Sequence, residues 1–91
     1  MSFSNIVRER RKELKITQRE LANRVGVDFT YISKIENDVL LPSEGIIKKI
    51  CSVLKLDFVD AMLKARKIPK EFKELIFSNK EIVDYLKSKV K

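Results

Sequence analysis

The chain has 91 residues, 44% of them apolar, which is material for one hydrophobic core and not for two. Two glycines and two prolines are too few for a turn-rich all-β fold, and the single cysteine with no histidine excludes an internal disulfide, the usual Cys/His zinc sites and His-dependent catalysis. Twenty Lys or Arg against thirteen Asp or Glu leave a formal +7, which favours an anionic partner, nucleic acid ahead of an acidic membrane surface.

The chain opens with Met1-Ser2-Phe3-Ser4 and passes almost at once into the charged run Arg8 to Glu13. No signal peptide is visible there, and no apolar run approaches the roughly 20 residues that cross a bilayer, so the expected location is the cytoplasm. Ser4 or Asn5 is the expected cap of a first helix running to about Leu14, with Phe3, Val7 and Leu14 along one stripe. Arg11 falls on that stripe, one turn from Val7, an odd place for a charge.

Thr17 is the next N-cap, and Glu20 three residues later completes a capping box. The helix that follows carries Leu21, Ala22 and Val25 on one face and ends at Gly26. Val27 alone separates that glycine from Asp28, the expected cap of a third helix whose inward face is Ile32, Ile35 and Glu36. A carboxylate on that face is a second oddity. Asn37-Asp38 closes the helix, both residues tolerating left-handed backbone.

Pro42-Ser43 opens a fourth helix with the stripe Ile47, Ile50, Cys51 and Leu54, and Asp57 opens a fifth with Phe58, Met62 and Ala65 inward. The Ile68-Pro69 step breaks the chain. Two further helices are predicted near Pro69–Phe77, with Phe72, Leu75 and Ile76 on one face, and Asn79–Ser88, with Ile82, Val83 and Leu86. Cys51, in line with Ile47 and Leu54, reads as a core filler.

Two helices joined as tightly as those on either side of Gly26 must cross steeply, and Ala22 permits the close approach. The segment from Thr17 to Asn37 closely resembles the Cro/repressor-type helix-turn-helix family, also called the Xre family. The matching features are Thr17-Gln18 opening the first motif helix, Leu21-Ala22, Val25-Gly26 at the turn, Ile32-Ser33-Lys34-Ile35-Glu36-Asn37 in the second, and Pro42-Ser43 before helix four. The resemblance covers roughly Asn5 to Leu63. It implies an all-α fold, a five-helix lambda-repressor-like DNA-binding domain over residues 1–68 with the motif at 17–36. Two additional C-terminal helices over residues 69–91 extend it.

In that family the second motif helix enters the major groove and its outward side reads base edges. The matching positions are Phe29, Thr30, Ser33 and Lys34, with Tyr31 at the edge. Lys34 has the chemistry for guanine, Thr30 for a base edge or a thymine methyl, and Phe29 only for apolar contact, or else for a staple against helix four. Gln18 matches the glutamine that bonds phosphate and braces the reading helix, and Asn37 lies where the second phosphate strand is gripped. The family prefers glycine after that asparagine, whereas Asp38 would face phosphate with a like charge. The resemblance also places an ion pair at Arg11 and Glu36, which would resolve both oddities, since an unpaired charge on either face is expensive.

The other basic residues are expected to be mostly solvated: Arg8, Arg10, Lys12 and Lys15 on the outer part of the first helix, some of them placed to touch phosphate, and Lys64, Arg66, Lys67, Lys70 and Lys73 around the Ile68-Pro69 junction. No catalytic constellation, metal site or cofactor is implied. The expected function is that of a transcriptional regulator, a dimeric repressor on a near-palindromic operator in double-stranded DNA. The second class is an antitoxin or other protein-interaction module whose DNA binding serves autoregulation, its protein partner being a toxin, an antirepressor or a protease. The apolar tail is assigned to a homodimer contact, the alternative being that it packs back on its own domain.

Overall fold

Seven helices follow one another: α1 Phe3–Glu13, α2 Gln18–Val25, α3 Phe29–Glu36, α4 Glu44–Leu54, α5 Phe58–Lys64, α6 Lys70–Ser78 and α7 Lys80–Lys89. They are drawn from a computed structural model that describes residues 2–90, and no strand occurs among them. The outer limits expected for the two segments, Met1 and Lys91, lie outside the described residues.

Capping chemistry sets most of the boundaries. Thr17 Oγ1 accepts from Glu20 N at 3.0 Å while Glu20 Oε1 accepts from Thr17 N at 3.3 Å, a complete capping box. Gly26 then ends α2 at φ 87°, a left-handed conformation that suits glycine. Ser43 caps α4, Asp57 caps α5, and Asn79 caps α7 through both Glu81 N and Ile82 N. Asp28 stands at the head of α3 in extended conformation, but its carboxylate makes no capping bond. The first helix departs from the expected start. Ser2, not Ser4 or Asn5, caps α1 by accepting from Asn5 N, and Ser4 is buried within the first turn. Phe3 is the reason: starting the helix there brings its ring into the core together with Val7.

The core is built from the stripes of α1 to α5. Val7, Leu21, Ile32, Ile35, Ile47, Ile50, Leu54 and Met62 are almost fully excluded from water. Helix α2 packs on α3 and α4, α1 on the same two, and α5 on α4. Ala22, 1% exposed, lets α2 and α3 approach closely across the short turn. Cys51 is buried among these apolar side chains.

Helices α6 and α7 stand apart. They pack on one another, neither contains a buried residue, and the chain extends 45 × 23 × 22 Å. Its radius of gyration, 15.4 Å, exceeds the roughly 12 Å of a compact chain this long. Two bonds tie the hairpin to the core: Lys67 Nζ donates to the Pro42 carbonyl at 2.8 Å, and Glu44 Oε1 accepts from Lys70 N at 3.1 Å. Lys67 is therefore half-buried and engaged, not simply solvated. No described helix is long and apolar enough to cross a membrane.

Candidate nucleic-acid interface

Helix α3 is eight residues long and divides cleanly by face. Ile32, Ile35 and Glu36 point inward with at most 1% exposure, while Thr30 and Lys34 are exposed and Phe29 and Ser33 are half-exposed. Tyr31 is half-buried and packs against the core. Asn37, exposed at the C-terminal end of α3, donates through Nδ2 to Ser33 Oγ at 3.4 Å, so these two polar groups share one edge of the helix. Asp38 follows at φ 62°, closing the helix with a left-handed residue that still carries its charge.

A lattice of donors converges on Glu36 and fixes how α3 sits. Arg11 binds its carboxylate in a fork, Nε to Oε2 at 2.7 Å and Nη2 to Oε1 at 3.0 Å, and also donates from Nη1 to the Ile16 carbonyl at 2.9 Å. Gln18, the first residue of α2, donates from Nε2 to Glu36 Oε1 at 3.0 Å. An amide has two N–H donors, so one braces α3 and the other is left for a group outside. A planar guanidinium suits a carboxylate in this two-bonded geometry, which fixes direction as well as distance.

Arg8 completes the lattice in a way the sequence did not suggest. Its Nη2 donates to the Glu36 carbonyl, and its Nε lies 3.9 Å from the Glu36 carboxylate. Arg10 likewise donates from Nε to the Leu54 carbonyl at 2.8 Å. Arg8 and Arg10 are exceptions to the mostly solvated set expected of the basic residues: each ties α1 to the last carbonyls of another helix, where the negative end of the helix dipole favours a cation. Spacing gave one usable signal, since Arg8 lies three residues before Arg11 and so shares its side of α1.

Phe29, the first residue of α3, is absent from the core cluster, so it is no staple on α4. Its ring lies instead under the guanidinium of Arg19 from α2, 4.5 Å from carbon to ring centroid. No sequence signal marks this contact, because residues ten apart on different helices share no periodicity.

A helix-turn-helix family profile matches residues 7–60, from within α1 to the start of α5, and includes the whole of the motif. The chain belongs to the Cro/repressor-type (Xre) helix-turn-helix family. That family consists of DNA-binding transcription regulators. Relatives include the ImmF control region 10 kDa protein of Bacillus phage phi105, 36% identical over 52 residues, covering 57% of this chain and 58% of the relative. The HTH-type transcriptional repressor RghR of Bacillus subtilis (strain 168) is 38% identical over 65 residues, 70% of this chain and 48% of RghR. RghRB of the same strain, an uncharacterized HTH-type transcriptional regulator, is 37% identical over 76 residues, 79% and 55% of the two chains. The chain thus spans about half the length of the curated relatives it matches. Among solved structures, a SinR protein/SinI protein complex aligns at a TM-score of 0.62 with 23% identity, covering 96% of this chain and 93% of the other. The all-α, lambda-repressor-like fold is thereby shown, with five helices in the domain and two added.

Proposed function

We propose that this chain is a sequence-specific regulator of transcription, a repressor that acts as a dimer on a near-palindromic operator in double-stranded DNA. The observation that carries the reading is the division of α3. Its inward face is locked to α1 and α2 through Glu36, while Thr30 and Lys34 stand free on the outward face. A helix held so firmly at one side presents the other to the major groove at a set angle. In this reading Phe29, Thr30, Ser33 and Lys34 meet base edges with Tyr31 at the margin, and Gln18 and Asn37 meet phosphate. Residues 1–68 are the DNA-binding unit and residues 69–91 the homodimer contact, working in the cytoplasm with no catalytic role.

The dimer assignment is supported by an apolar cleft of about 300 Å³ between α6 and α7, lined by Phe72, Leu75, Ile76, Ile82 and Leu86. Phe77 and Tyr85 beside it are 84% and 62% exposed. A second copy of the hairpin offers the same apolar face in return, which is what a two-fold contact requires, and it would set two recognition helices about 34 Å apart.

Selection of bound sites from random duplex DNA tests the function. The expected result is a symmetric site whose affinity falls steeply with salt, log K changing by about 0.9 per log unit of salt for each phosphate neutralised. Equal affinity for selected and scrambled duplexes at moderate salt would end the claim of sequence-specific recognition.

A further inference from the structure

We propose that Arg19 and Phe29 act together as a reader of a pyrimidine C5-methyl group, with Arg19 as the residue that positions Phe29. The inference rests on the DNA-binding reading and adds a specific ligand group, thymine or 5-methylcytosine in the major groove. Three observations carry it. Phe29 sits at the first position of α3 on the outward side, half-exposed and outside the core cluster. A phenyl ring offers no hydrogen bond, and the apolar group that a base pair presents in the major groove is the C5-methyl.

The ring is also held. The Arg19 guanidinium lies 4.5 Å from its centroid, a contact that covers one face of the ring and restricts its rotation without using a donor. The last observation concerns those donors. Among the described residues Arg19 makes no side-chain hydrogen bond and no ion pair, although Glu20 is its neighbour and Asp28 precedes Phe29. A guanidinium has five N–H donors, and with none of them engaged by a side-chain partner they are left for an acceptor outside the protein. A phosphate beside the base being read satisfies them. The pair therefore joins an apolar contact, which discriminates, to a charged one, which fixes its register.

The experiment uses the full chain and the duplex obtained by selection. Each thymine in turn is replaced by uracil, which removes the methyl and nothing else, and each cytosine by 5-methylcytosine. The expected result is one thymine per half-site at which uracil weakens binding about fourfold, the effect of withdrawing one buried methyl group. Phe29→Ala should bind thymine and uracil duplexes equally at that position while keeping its other preferences. Arg19→Lys, which keeps the charge and loses the flat guanidinium over the ring, should reduce the thymine-to-uracil ratio with little change in salt dependence. Arg19→Ala should reduce the ratio and also lower the salt slope by about one per subunit. Thermal melting of the variants without DNA should fall by only a few degrees, Arg19 being exposed and Phe29 lying outside the core cluster. A wild-type ratio near one at every thymine, or a ratio that Arg19→Lys leaves intact, would overturn the inference while leaving DNA binding standing. A chain that selects no duplex at all would instead overturn the function on which it rests.

Discussion

Replacing Arg11 by Met removes the forked partner of Glu36 while keeping most of the apolar stem that α1 packs inward. The carboxylate left behind is 1% exposed and Arg11 itself 12%, so water cannot take the place of the guanidinium without loosening the contact between α1 and α3. Breaking a buried pair by deleting one member costs about 3–5 kcal/mol. Gln18 Nε2 at 3.0 Å and Arg8 at 3.9 Å remain, which moves the expectation to the lower end of that range. The Ile16 carbonyl loses its Nη1 donor as well, a contribution of about 1 kcal/mol. A net loss of about 4 kcal/mol at roughly 4–8 °C per kcal/mol lowers the melting temperature by about 16–32 °C. Differential scanning calorimetry and urea unfolding both read it. The double change, Arg11→Met with Glu36→Leu, should recover much of the loss, because neither charge is then stranded. A single variant that melts within about 4 °C of the parent, less than 1 kcal/mol, would refute the reasoning. So would a double variant as unstable as the two single changes added together.

Four further outcomes are expected. Lys34→Ala should cost about 1–3 kcal/mol on the best site and relax preference at one position per half-site, whereas Gln18→Ala should weaken all sites more evenly; competition binding across a panel of duplexes separates the two patterns. Asp38→Gly should raise stability by about 1 kcal/mol, since Asp38 stands at φ 62°, and should also tighten DNA binding by removing a charge that repels phosphate; unchanged melting and affinity would count against both effects. Burial, with a smaller contribution from Asp57, pushes the Cys51 thiol up to about 11. The folded state therefore holds the thiol neutral, so any stability it adds is present at neutral pH and is lost as pH rises toward 11; a disulfide reagent at pH 8 should label Cys51 slowly in the native chain and quickly in urea. Removing residues from Pro69 onward should leave a folded monomer with much weaker operator binding; sedimentation of a 91-residue chain that stays monomeric at micromolar concentration, or of a truncated one that still dimerises, would refute the assignment of the hairpin.

Local chemistry was readable directly from the residue order. The Thr17–Glu20 capping box, the glycine at 26, the helix starts at Ser43 and Asp57 and the apolar stripes of α2 to α5 depend on neighbours within a turn or two, so spacing carries them. The two charges on apolar faces were readable for the opposite reason: Arg11 and Glu36 break their stripes, and in the folded chain they meet at 2.7 Å. What tertiary structure alone decided involves partners far apart in the chain. Arg8 and Arg10 look like solvated lysine-like positions until α3 and α4 bring carbonyls within reach, 28 and 44 residues away. Ser2 displaces Ser4 as the first cap because burying Phe3 and Val7 outweighs the local preference of either serine. The hairpin's independence from the core is also a tertiary fact, since an amphipathic stripe states that a face is apolar and not what covers it. The contact of the Arg19 guanidinium with the Phe29 ring belongs to the same class: it exists because the turn at Gly26 folds α2 back across α3, and no periodicity within either helix encodes it.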